Sequence, residues 1–219
     1  MPAGTPELIP RSLLVAFRSV SRSTFPHFSA APLAAVPPFA APRPGSWFTL
    51  EKWITPQPFA NAKNGGDADY DIAASDRSTD DKRRALEHHW DSWLTEADFG
   101  WLASRGINTV RLPISFYHLA GLDRSLLKGT EFEPFADVYQ GAWERIERAF
   151  GWADRHGLGV LVDLHAVPGK QNEDAHSGAS HHGSELFDKR KCQEQTVRVL
   201  EALVGAICQV DNVVGCVWP

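Results

Sequence analysis

Three polar residues interrupt otherwise apolar stretches of the chain. Glu51 follows the aromatic run GSWFTL, Arg111 lies inside TVRLPI, and His165 lies inside VDLHAVPG. Together a carboxylate, a guanidinium and an imidazole offer both acceptors and donors to a polar ligand. An arginine inside an apolar strand is costly to bury unless it meets a carboxylate or a ligand. Arg111 therefore has two readings, a pair with a carboxylate such as Asp163 or a contact to a ligand. His165 taken alone reads as a satisfied core histidine. All three at or just beyond the ends of successive strands are harder to obtain by chance.

Other chemistry-bearing groups point less far. Asp67, Asp69 and Asp71 imitate the start of an EF-hand loop, but Ile72 and Ser78 stand where glycine and glutamate are needed, so the stretch reads as a solvated acidic loop. His176, His181 and His182 lie in a Gly/Ser loop without helical spacing or an acidic ligand pattern, which reads as solvated or sugar-facing rather than metal-binding. Cys192, Cys208 and Cys216 form no C-x-x-C. Cys208 and Cys216 read as small buried hydrophobes. Reduced cysteines suggest an intracellular chain. No metal or cofactor is implied.

These residues need elements to hold them. Strands are expected near residues 46–50, 108–114, 159–165 and 213–218, parallel and adjacent in that order. A helix starting at Thr95, with Asp98 completing a capping box, stops at Gly106. A second puts Trp143, Ile146, Phe150 and Ala153 on one face and ends at Gly157. A third, from about Asp188 to Val210, carries a stripe of Val197, Leu200, Val204 and Ile207. Residues 60–88 read as a polar surface insertion. Helix–strand alternation with wholly apolar strands means a parallel α/β sheet. Long loops follow the strands and short turns follow the helices, which favours a (β/α) barrel, whose sites are built from the loops after strands. No G-x-G-x-x-G and no phosphate-binding loop supports a nucleotide fold.

The 219 residues are 43% hydrophobic and 22% charged, with a net charge of −5. That gives no basic field for nucleic acid, and no apolar run is long enough to span a membrane. Eight tryptophans are many for this length. Each reads first as core, although flat aromatic faces also stack on pyranose rings. Trp47 and Trp53 are the candidates for stacking, with packing the default. Residues 1–44, rich in Ser, Ala and Pro, read as a disordered or transit-like leader rather than a secretory signal.

The segments GSWFTLEKWITP, HWDSWLTEADFGWLASRGINTVRLPISFY and VLVDLHAVPGKQN resemble the front half of the exo-β-1,3-glucanase-like members of glycoside hydrolase family 5, as found in fungi. The resemblance covers residues 45–219 in consistent order. It implies a (β/α)₈ TIM-barrel fold, truncated here after about four β/α units, and retaining hydrolysis of β-glucans. It also implies that Glu51, Arg111 and His165 line the sugar subsite next to the cleaved bond. PGKQNEDAHSG resembles the loop after the third strand, which adds Asn172 and His176 as sugar-facing residues. Here the chain departs from the better-known exoglucanases, which carry Asn at the place of His176.

Retaining glycosidases need two carboxyl groups about 5 Å apart. The family draws its acid/base from an Asn-Glu pair after the fourth strand, and NVVGCVWP reaches the chain end without one. The sequence reading therefore assigns no catalytic residue and expects negligible activity from this chain alone. The alternative is a noncatalytic half-barrel that binds glucan or a partner chain.

Overall fold

The computed structural model describes residues 45–219. The leader assigned to residues 1–44 lies outside the described residues.

Two parallel crossovers build the sheet. Strand β1 (Thr109–Ser115) leads through a loop of 3₁₀ turns into helices α4 (Ala136–Tyr139) and α5 (Ala142–Arg155), then into β2 (Gly159–Ala166). The next crossover is α6 (Arg190–Ile207), and β3 (Val213–Val217) closes the order β1-β2-β3, all parallel. Ahead of β1 lie α1 (Asp69–Ala73), α2 (Thr79–Trp93) and α3 (Glu96–Ser104).

Local sequence explains most of these boundaries. The Asp98 carboxylate accepts from both the amide and the hydroxyl of Thr95 at 2.8 Å, so α3 starts where the capping box places it. Gly106 and Gly157 carry the left-handed backbone, at φ +79° and +67°, that stops α3 and α5. On α5, Trp143, Ile146, Phe150 and Ala153 are all buried. The α6 stripe is rotated from the expected one. Val199, Leu200, Leu203 and Ile207 are buried, while Val197 and Val204 are half-covered. Gln195 explains the rotation: its side-chain amide donates to the Lys128 carbonyl at 3.1 Å and turns that face inward.

The expected strand at residues 46–50 does not form. Ser46 has φ +60°, which breaks an extended run at its start. The segment is held by side chains instead of a ladder. The Trp47 indole donates to the Trp90 carbonyl at 2.8 Å, the Thr49 hydroxyl meets that of Ser115 at 3.0 Å, and the Leu50 amide goes to Asp69. Trp47, Phe48 and Leu50 are nevertheless fully buried.

Residues 60–88 are not a surface loop. They contain α1 and the start of α2, and Asp69, Asp71, Ile72 and Leu86 are buried. Lys82 reaches from α2 to the Ala73 carbonyl at 2.7 Å, tying the two helices together. Nor is Cys208 a buried hydrophobe: it is exposed at the end of α6, whereas Cys216 is half-buried and Cys192 buried. None of the helices among the described residues is long and apolar enough to cross a membrane.

Candidate functional site

The two faces of the sheet differ. Leu112, Ile114, Val160, Val162 and Leu164 point to the helix side and are buried. Arg111, Leu161, Asp163 and His165 occupy the alternate positions and share the other face. Arg111 pairs in register with Leu161, and Asp163 is two residues further along β2. That diagonal is within reach of an arginine side chain.

Asp163 organises this face. One of its carboxylate oxygens, Oδ2, accepts from Arg111 Nη2 at 2.5 Å and from His165 Nδ1 at 2.8 Å. An ionised carboxylate only accepts, so a proton sits on His165 Nδ1, and in the neutral imidazole Nε2 is then the acceptor. Asp163 is 7% exposed, Arg111 53% and His165 26% by side chain. The pairing reading of Arg111 holds, with a buried carboxylate as its partner, and part of the guanidinium is still open to solvent. The result is a donor and an acceptor side by side on an accessible surface.

His176 continues the chain of contacts. Its ring lies 4.9 Å from that of His165, and its Nε2 is 3.6 Å from the Asp174 carboxylate. Burial pulls the His176 imidazole below its ordinary value, His165 adds to this, and Asp174 and Glu51 oppose it. An open cleft of about 480 Å³ lies between Glu51, Trp53, Asp67, Asp174 and His176. Glu51 Oε2 accepts from the Trp53 indole at 2.9 Å. Trp47 is core packing, but Trp53 is 73% exposed at the lip of this cleft. Its flat face is available to a ligand, contrary to the packing default.

Asn172 is placed differently. Its Oδ1 accepts from the Asp174 amide at 3.0 Å and from the Ser177 hydroxyl, so it shapes the loop that carries His176. Gln171 anchors the same loop by donating to the His165 carbonyl at 2.6 Å. The other two histidines turn away from the cleft chain: His181 stacks on Tyr70 at 4.0 Å, and His182 lies 3.9 Å from Glu131. Among the described residues no group of three or more His, Cys, Asp or Glu side chains is arranged to hold a metal ion.

Sequence reasoning named Asp163 only as a partner for Arg111 and overlooked its grip on His165. The signal was present in the D-L-H spacing, since residues two apart on a strand share a face.

Among the described residues the fold is α/β, a three-stranded parallel sheet with helices on one face and polar side chains at the ends of β1 and β2 on the other. Two solved structures agree. A rutinosidase from Aspergillus niger superposes with a TM-score of 0.64 at 19% identity, covering 78% of this chain and 45% of that one. The structure titled AoRut gives 0.58, again at 19% identity and with the same coverage. Among curated proteins, Glucan 1,3-beta-glucosidase 3 of Schizosaccharomyces pombe is 33% identical over 174 residues, which is 78% of this chain and 36% of that protein. Glucan 1,3-beta-glucosidase of Blumeria graminis is 35% identical over 172 residues, 78% of this chain and 37% of that one. No family model matches the chain. These curated relatives are fungal glucan 1,3-beta-glucosidases, in keeping with the resemblance to the exo-β-1,3-glucanase-like members of glycoside hydrolase family 5. The chain spans little more than a third of the length of the curated relatives it matches.

Proposed function

We propose that this chain carries sugar-gripping residues of a β-glucan-acting glycoside hydrolase, its three parallel strands and their crossovers being part of a (β/α)₈ barrel. The observation that carries the reading is the unbroken contact series Arg111–Asp163–His165–His176, whose last member, His176, lines the same cleft as Glu51. The guanidinium donates, His165 Nε2 accepts, and the Glu51 carboxylate accepts. Neighbouring hydroxyls of a pyranose require such alternating partners. The exposed Trp53 face beside Glu51 is apolar enough to take the flat side of a sugar ring. The relatives' names supply the substrate class, a β-1,3-linked glucan.

These residues account for binding. Hydrolysis with retention needs an acid/base and a nucleophile carboxyl. Neither role is assigned to Glu51, whose Oε2 is engaged by the Trp53 indole.

The test is calorimetric titration of the whole chain with laminaritriose, a short β-1,3-glucan. Binding should weaken about 10- to 100-fold in Arg111→Ala and in His165→Ala, the cost of losing hydrogen bonds to charged or directional groups. Equal affinity in both variants, or no detectable binding by the wild type, defeats the reading.

A further inference from the structure

Glu51 and His176 meet across the cleft although they belong to segments more than a hundred residues apart. No strand pairing joins those segments. Their link is the short helix α1, whose hydrogen bonds go to chain neighbours of Glu51 and His176.

The contacts run in both directions from Asp69. Its Oδ2 accepts from the Leu50 amide at 3.3 Å, one residue before Glu51. Its backbone carbonyl accepts from the Tyr139 hydroxyl at 3.0 Å. The next residue, Tyr70, donates its amide to the Gly178 carbonyl at 2.9 Å, two residues beyond His176. Asp71 accepts from the Ser180 hydroxyl at 2.7 Å and from the Ala68 amide at 3.1 Å. Gly178 can make this approach because it has no side chain: a Cβ there would lie 3.0 Å from the Tyr117 ring, and its φ is +100°.

Asp69 is 1% exposed. Its Oδ1 and the neighbouring Tyr117 hydroxyl are both buried with no well-formed hydrogen bond to any third group, so each is the other's nearest polar neighbour. Two facing unpartnered polar atoms are costly, and a shared proton satisfies both. We propose that Asp69 is a positioning residue, a buried clamp that holds the Glu51 turn against the His176 loop and so assembles a cleft it never touches.

Burial pushes the Asp69 carboxyl up to about 7, with the Tyr117 hydroxyl and the Leu50 amide opposing and the Asp71 charge adding. The titratable groups that face it are Asp71 on its own helix, Tyr117 beyond β1 and Tyr139 on α4. Burial raises both tyrosines well above their usual range, so neither ionises alongside it. Proton loss from Asp69 places a buried charge beside Asp71 at a cost greater than the Tyr117 hydroxyl and Leu50 amide return, and so strains the clamp.

The consequence for ligand binding rests on the sugar-binding reading; the clamp itself is testable without sugar. The probe is the Trp53 indole N–H resonance of the full chain, since that group donates to Glu51 and reports where the turn sits. In wild type it should shift through an inflection near pH 7. Asp69→Asn, which keeps an acceptor for the Leu50 amide but cannot ionise, should remove that inflection while leaving the other tryptophan resonances dispersed. Tyr117→Phe, which removes a group that lowers the Asp69 value, should move the inflection upward. An inflection that survives unchanged in Asp69→Asn, or that ignores Tyr117→Phe, overturns the proposal. A purely structural role for Asp69 would leave no such pH signature. With laminaritriose, affinity should fall about tenfold from pH 6 to pH 8 in wild type and stay level in Asp69→Asn, as a competent fraction falling with ionisation requires. If the resonances behave as expected and no sugar binds, the sugar reading fails and the clamp stands. If sugar binds with no Trp53 inflection, the reverse holds.

Discussion

The helix-covered face of the sheet and its opposite face are made by the same seven- and eight-residue strands. On one, Ile114, Val162 and Leu164 are at 0% exposure, each meeting carbon on all sides. On the other, Arg111 is 53% exposed and Leu161 half-covered, and the buried member is a carboxylate. Apolar packing is concentrated on the first face, and the second carries the polar groups proposed to bind sugar. A continuous apolar run does not distinguish these cases, because one residue in two is enough to fix the fold.

The sharpest way to break this contrast is a matched pair of truncations. Ile114→Ala should cost about 2–5 kcal/mol by opening a cavity in packed surroundings. Leu161→Ala, on the other face, should cost within about 1 kcal/mol. Urea unfolding of the two variants measures the difference, and similar costs would mean that the faces are energetically alike.

The next effect separates two buried ionisable groups near the end of β1. Asp69 is pushed up to about 7, so its contribution is complete below pH 4 and is lost as pH rises through 7. His118 is pulled down to about 3 by burial, so its contribution is complete above pH 6.5 and is lost as pH falls through 3. Between about pH 4 and 6.5 the two slopes oppose each other and nearly cancel. Removing one exposes the other. The stability of Asp69→Asn relative to wild type should therefore rise by about 1.4 kcal/mol per pH unit between pH 4 and 7. Parallel stability curves for the two proteins would contradict the assignment.

Asp163→Ala comes third. It strips two donors of their shared acceptor on the recognition face and should cost about 1–3 kcal/mol. Binding of laminaritriose should fall with it, and Asp163→Asn should restore more stability than affinity. Smallest is Arg111→Ala, whose half-exposed side chain should be worth no more than about 1 kcal/mol to folding. Its effect on sugar affinity should far exceed that. A large stability loss at Arg111 would return it to a structural role.

Much of this was legible in the sequence, for identifiable reasons. α3 and α5 show their caps and stops within a few residues, and β1 and β2 are apolar runs between such stops. The sugar-facing candidates Arg111 and His165 stood out because charge inside an apolar strand is rare. Residues 46–50 were misread because their aromatic content favours a strand, whereas their hydrogen bonds go to Trp90, Ser115 and Asp69, far away in sequence. Asp69 and Asp71 were misread for a related reason. Five residues of α1 are too few to show a helical period, and the burial of an acid depends on partners such as Tyr139 and Ser180 that no local pattern reveals.

Asp163 also has a consequence for inheritance. A single oxygen atom specifies both the direction of the Arg111 guanidinium and the tautomer of His165. These positions are therefore not free to drift one at a time. A variant that exchanges Asp163 for a residue without a carboxylate removes the shared acceptor of Arg111 and His165 at once. One that exchanges either partner leaves a buried anion to the other alone. Substitutions at the three positions should therefore be coupled rather than additive, since they share one acceptor.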